Sequence, residues 1–355
     1  MEKTLLFSLF LWILVASGSS IDVPAIFIFG DSIFDAGNNH FNKNCTIQAD
    51  FPPYGQSFFR HPTGRFTNGR TVADFVCEMI GIDLQKPYLE AEMQVRNRSR
   101  KDYPANGMNF ASAGSGVMKE TNADSGVTPI QTQLQQFEAL VNQNKIDKKI
   151  IERSFFFFES GSNDIFQYFI PFYTPKLDAD AFVSTMITEV EHMIRCIYEL
   201  GARRIAVFGL GPVGCVPART LLGAPMDVCH EAMNQMVMKF NLGLESLIKD
   251  VPTKLPGAVG VYGATFDIIQ RFRASPKDYG FSNTTNACCG EGTLGGMVQC
   301  GTGEYKVCGN PNEFLFWDYF HPTEHAYKLI TKAFWGGKQQ RIRPLNLRTL
   351  ANITV

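Results

Sequence analysis

The chain of 355 residues carries 33 lysines and arginines against 34 aspartates and glutamates, a net charge of −1, and 45% of it is hydrophobic. So balanced a charge provides no field to draw nucleic acid or an anionic membrane surface, and neither is expected as a partner. Length and apolar content allow a large core, built as one big α/β domain or as two smaller ones.

Lys3 precedes an apolar stretch from Leu5 to Ala16, and the small residues Ser17-Gly18-Ser19-Ser20 follow, the layout of a cleaved secretory signal over residues 1–20. The stretch falls short of the ~20 residues that cross a bilayer, and no later segment is long and apolar enough to span one. Next comes Ile26-Phe27-Ile28-Phe29, read as a buried strand, with Gly30-Asp31 as the turn that lifts Ser32 out at its carboxyl end, where open α/β sheets place their sites.

Further strands are expected at Met108–Ala111, Phe155–Phe158, Ile205–Phe208 and Val259–Tyr262, and helices at Thr71–Ile80, Ile130–Asn142, Ala181–Leu200 and Val228–Lys249. Strands alternating with helices imply a parallel sheet covered on both faces. With no repeat, linker or shift in composition, one domain over residues 21–355 is expected. Segments 37–70, 91–107, 210–227 and 280–312 read as long excursions at the rim. The tail beyond Gly336, with Lys338, Arg341, Arg343 and Arg348, reads as a solvated basic surface.

Nine cysteines in an exported chain point to disulfides with at least one thiol over. Cys229, Cys288, Cys289, Cys300 and Cys308 fall late in a glycine-rich region that needs bracing; bridges are favoured over zinc because paired C-x-x-C knuckles are lacking. Cys77 and Cys196, in helix-like stretches, read as inert buried thiols. Sequons at Asn44, Asn97, Asn283 and Asn352 predict glycans on surface loops.

A serine hydroxyl is a poor nucleophile at neutral pH and needs a base beside it, most often histidine. His321 is the candidate, with Asp318 three residues earlier to fix its tautomer and Pro322 suited to the first position of the following helix. A helix cap is the plainer reading of Asp318, but it leaves His321 unexplained. His325 is discounted as a metal ligand, since His321-Pro322-Thr323-Glu324-His325 lacks the H-E-x-x-H order, and reads as an ordinary exposed helix residue. Backbone donors for an oxyanion are offered by Asn109 to Gly116, and a side-chain amide by Asn163 after the third strand. Phe51, Tyr54, Phe166, Tyr168 and Phe169 are candidates for an apolar cleft, although aromatic residues near strands are more often core.

Phe29-Gly30-Asp31-Ser32 followed by Asp35-Ala36-Gly37-Asn38-Asn39 resembles the opening block of the plant GDSL esterase/lipase family, within the SGNH hydrolases. Pro62 to Arg70, Asn109 to Ser112, Gly161-Ser162-Asn163-Asp164, Cys288-Cys289-Gly290 and Phe316 to Thr323 resemble it in the same order. The resemblance implies a three-layer α/β/α sandwich around a five-stranded parallel sheet, with no metal or organic cofactor. It implies Ser32 as nucleophile, His321 as base and Asp318 as its orienting acid. The oxyanion donors would be Ser32, Gly114 and Asn163, with Ala113 as the alternative to Gly114.

The function expected is a secreted serine esterase or lipase acting on small-molecule or lipid esters outside the cell, in the wall or in the vacuole. An acyltransferase that passes the same acyl group to an alcohol, and a non-catalytic extracellular binding or defence protein, are the two other readings.

Overall fold

The computed structural model describes residues 21–354, so the expected signal over residues 1–20 lies outside the described residues. Strands β1 (Ile26–Gly30), β2 (Gly107–Asn109), β3 (Phe155–Glu159), β4 (Arg204–Phe208) and β5 (Val259–Gly263) form a parallel sheet in the order β2-β1-β3-β4-β5. Alternate side chains leave opposite faces of a strand. Ile26, Ile28, Phe155 and Phe157 therefore enter one buried cluster, while Phe27, Phe29, Phe156 and Phe158 enter the other.

Helices α1 (Val72–Ile80), α6 (Thr265–Ala274), α7 (Glu324–Gly336) and α8 (Leu347–Ala351) contribute Phe75, Ile268, Ile330 and Leu350 to the first cluster. On the other face α2 (Ile130–Asn142), α4 (Ala179–Glu199) and α5 (Glu231–Lys254) contribute Phe137, Ile194 and Phe240, and α3 (Ser162–Tyr168) follows β3. Three layers result, as expected.

Two boundaries correct the sequence reading. A sixth strand, β6 (Ile342–Arg343), joins the five antiparallel to β5, pairing Ile342 with Gly263 and Arg343 with Tyr262. Two residues are too few for a periodic signal to reveal. The tail is thus partly structural: Ile342 is buried and Arg343 Nε meets Glu245 Oε1 at 2.5 Å. Helix α5 begins at Glu231 rather than Val228, because Cys229 is bridged to Cys215 and the His230 ring accepts from the Met233 N–H at 3.3 Å as a cap.

Cys288 pairs with Cys308 and Cys289 with Cys300, and the three cysteines outside bridges are Cys45, Cys77 and Cys196. Cys77 is buried as expected, and burial pushes its thiol up to about 12. Cys196 departs from the expectation, lying half-exposed against His192 on α4. Of the sequons, Asn44, Asn97 and Asn352 are exposed. Asn283 is half-buried, its Oδ1 accepting from the N–H groups of Thr285 and Asn286.

Candidate active site

Strand order reverses direction between β1 and β3, which opens a crevice at the carboxyl ends of the strands. Gly30 ends β1 beside Glu159, where a Cβ would stand 2.1 Å from the Glu159 carbonyl oxygen, so this close approach requires glycine. The backbone turns there and sets Ser32 at the crevice.

Residues 35–39 then stitch the neighbouring loops together. Asp35 accepts from the N–H groups of Gly37 (2.7 Å), Asn38 (2.6 Å) and Ala113 (2.9 Å). Asn38 donates to the carbonyls of Asn109 and Ala111, and Asn39 to those of Ile47 and Ala113. These bonds fix the loop after β2 against the loop after β1, and so place Gly114 near Ser32.

The opposite wall arrives from the far end of the chain. Buried Arg65 forks onto Asp74 at 2.9 and 2.7 Å and reaches the Ala36 carbonyl. Thr67 donates to the Pro322 carbonyl, and Asn68 Oδ1 accepts from the Glu324 N–H. Behind this turn, Cys289 N–H donates to the Trp317 carbonyl at 2.7 Å, so the bridged loop braces the segment that carries Asp318. Helix α7 starts at Glu324 with Thr323 as its cap, whose hydroxyl accepts from the Ala326 N–H. Pro322 therefore precedes the cap instead of opening the helix, because threonine offers the orphan N–H groups an acceptor that proline lacks.

Ser32 Oγ lies 2.7 Å from His321 Nε2, and His321 Nδ1 lies 2.7 and 2.9 Å from the two oxygens of Asp318. Asp318 Oδ1 also accepts from the N–H groups of Phe320 and His321. Asp318 is thus not the cap of α7, a place Thr323 takes; its backbone bonds are to the turn before the helix. Oδ2 takes the hydroxyl of Tyr54 at 2.7 Å.

The N–H groups of Ser32 and Gly114 have no protein acceptor among the described residues, whereas that of Ala113 is engaged by Asp35. Of the two, Gly114 is therefore the one whose N–H is left without an intramolecular acceptor. Gly114 sits at φ 81°, a left-handed conformation that favours glycine. Asn163 donates from Nδ2 to the Ser115 carbonyl at 2.9 Å and, at 3.2 Å, to Asp31 Oδ2.

Of the aromatic cleft candidates, only Phe166 lines the cavity at Ser32; Tyr54 and Phe51 pack edge-on together, Tyr168 lies tilted against Phe182, and Phe169 packs edge-on to His230. His325 is half-buried, not exposed, and its Nε2–H donates to the Tyr279 carbonyl. Among the described residues no group of three or more His, Cys, Asp or Glu side chains is placed to hold a metal ion.

Sequence reasoning missed Tyr54 as the partner of Asp318, and it missed the buried carboxyl pair Asp31 and Glu159. Glu159 ends the run Phe155-Phe156-Phe157-Phe158, and a charge closing an all-aromatic strand was the available signal. Burial raises Asp31 to about 6, while burial and the charge on Asp31 push Glu159 well above the carboxylate range. Burial and the neighbouring carboxyl thus both favour the protonated form of Glu159 over the ionised one.

A serine, an imidazole and a carboxylate in hydrogen-bonded sequence at the end of a parallel sheet is an arrangement suited to acyl transfer. The family model for GDSL-like lipases and acylhydrolases matches residues 26–334, and the chain belongs to that family. It is 60% identical to GDSL esterase/lipase 6 of Arabidopsis thaliana, across 95% of this chain and 93% of the relative. It is 34% identical to the GDSL lipase of Tanacetum cinerariifolium, across 94% and 89% respectively. GDSL esterase/lipase 7 of Arabidopsis thaliana is also 34% identical, across 99% of this chain and the whole of that protein. The chain is a carboxylic ester hydrolase.

Proposed function

We propose that Ser32, His321 and Asp318 are the catalytic triad of a secreted serine esterase or lipase. Ser32 Oγ attacks the ester carbonyl carbon as its proton passes to His321 Nε2, 2.7 Å away. The C–O bond to the alcohol then breaks, and the alcohol leaves with that proton. Water, deprotonated by the same nitrogen, attacks the acyl-serine and releases the acid. Asp318 holds the tautomer with Nδ1 protonated and stabilises the imidazolium that forms in each half.

The oxyanion takes the free N–H groups of Ser32 and Gly114 and the amide of Asn163, which exchanges its longer bond to Asp31 for the substrate. The observation that carries this reading is the contact between Ser32 and His321, residues separated by 289 positions. Export as one domain over residues 21–355 is supported by the apolar amino terminus, three disulfides and exposed Asn44, Asn97 and Asn352.

The test is hydrolysis of p-nitrophenyl acetate and labelling by a fluorophosphonate. Wild type turns over and is labelled; Ser32→Ala does neither while keeping its circular dichroism spectrum. Undiminished turnover by Ser32→Ala refutes the assignment.

A further inference from the structure

The mouth of the cavity at Ser32 is marked by Ile170, which lines that cavity and is still 36% exposed. Ile170 opens a turn that follows α3: its carbonyl accepts from the Tyr173 N–H at 2.9 Å, which puts Pro171 and Phe172 at the tip. The Phe172 side chain is 98% exposed, and Tyr173 and Leu177 beyond it are exposed as well. A phenylalanine held entirely in water contributes nothing to the fold, since it forgoes the burial that stabilises such side chains elsewhere.

A second apolar edge comes from the loop after β4, whose residues Gly211, Pro212, Val213 and Val216 also line the cavity. Buried Arg219 donates to the carbonyls of Met226 (3.0 Å) and Val228 (3.1 Å), and the bridge from Cys215 to Cys229 closes the loop behind them. The backbone is anchored inward and the side chains stand outward: Met226 is 60% exposed and Val228 51%. The rings of Phe169 and His230, with centroids 4.8 Å apart, join the two edges. Segments 169–177 and 221–228 carry one charge of each sign, Lys176 and Asp227.

Resting on the triad reading above, we infer that these two loops form a docking surface for an uncharged lipid–water interface, from which an aggregated ester passes to Ser32. Continuity with the cavity decides the occupant. Both apolar edges run on from walls that the ester itself must pass, so a molecule drawn from an aggregate stays on apolar surface all the way in. The absence of net charge provides no attraction for an anionic membrane, which is recognised by clustered lysines and arginines. A protruding turn tip suits insertion into a deformable boundary, whereas a stable protein partner needs a broad complementary face.

Flotation with triolein droplets is the first test, made on Ser32→Ala so that the ester persists. The chain is expected to float at about 1 M NaCl as it does at about 0.15 M, because apolar contact is not screened by salt. Adding Phe172→Ser and Met226→Ser is expected to weaken droplet binding about tenfold or more, the worth of two large apolar side chains returned to water. The second test follows hydrolysis of tributyrin through its solubility limit. The wild-type rate is expected to rise about fivefold or more once droplets form, since docking raises the effective concentration of ester. Phe172→Ser/Met226→Ser should match wild type on dissolved tributyrin and p-nitrophenyl acetate and lose that rise.

Failure of the chain to float overturns the docking surface without recourse to the loop variants. Flotation that salt abolishes, or that the two loop substitutions leave unchanged, overturns it too. Self-association in analytical ultracentrifugation that the substitutions abolish, with no flotation, assigns the face to a second copy of the chain and overturns the lipid assignment. A wild-type rate that stays level across the solubility limit overturns the delivery of substrate. A chain that floats but hydrolyses neither dissolved ester overturns the triad reading alone.

Discussion

The Tyr54 hydroxyl donates to Asp318 Oδ2 at 2.7 Å across 264 residues of chain, and both side chains are at most 1% exposed. Oδ1 meanwhile holds the backbone N–H groups of Phe320 and His321, so the carboxylate is gripped from two sides and presents one fixed edge to the imidazole. Hydrogen bonds to a charged group are worth roughly 1.5–3 kcal/mol. Tyr54→Phe is expected to lower kcat about tenfold with little change in KM, because Tyr54 touches Asp318 and lies outside the substrate cavity. Steady-state kinetics check this; an effect confined to KM counts against the positioning role.

Asp318→Asn preserves an oxygen for the two backbone N–H groups and for His321 Nδ1–H, but it puts an amide NH₂ at Oδ2, against the Tyr54 hydroxyl and 2.9 Å from Nδ1. It also removes the negative charge that stabilises the imidazolium, and kcat is expected to fall by about 10⁴. Stopped assays at saturating ester measure it, and a loss under tenfold would show that the carboxylate serves the backbone turn alone.

Gly114→Ala places a Cβ 2.4 Å from Cδ1 of Ile47 at a φ of 81°. The left-handed conformation alone costs about 1–2 kcal/mol. Relief moves the backbone N–H, so kcat is expected to drop about tenfold or more beyond the small loss of thermal stability. Thermal melts and turnover together test the assignment, which fails if stability falls while turnover holds.

Glu159→Gln addresses the raised carboxyl. A buried acid whose folded pKa lies above its unfolded value, here near 4.5, lends no penalty below that value and costs stability as pH rises through the folded pKa. Glutamine has no such cost and can still donate to Asp31. The melting temperature of Glu159→Gln relative to wild type is expected to rise from pH 4.5 to pH 8. Differential scanning calorimetry decides it, and a constant difference across that range contradicts the buried, proton-holding state.

The five parallel strands were legible within one or two residues because each is a short apolar run, and a strand buried on both faces needs no alternation. Helix α2 matched at both ends, Ile130 and Asn142, since its apolar period is unbroken. β6 and the true start of α7 were not legible. A two-residue strand has no period, and the choice between Pro322 and Thr323 as the entry depends on what the neighbouring carbonyls and hydroxyls already bond.

The amino-acid sequence alone determined the layered α/β architecture, the family blocks and the kinds of side chain available for ester cleavage, because local periodicity and motif order are properties of neighbours along the chain. Tertiary structure alone decided that Tyr54 grips Asp318, that Gly114 rather than Ala113 keeps an unengaged N–H, and that Glu159 is buried beside Asp31. These depend on which groups far apart in sequence compete for the same hydrogen bond or the same dry space, and that competition exists only once the chain has closed on itself.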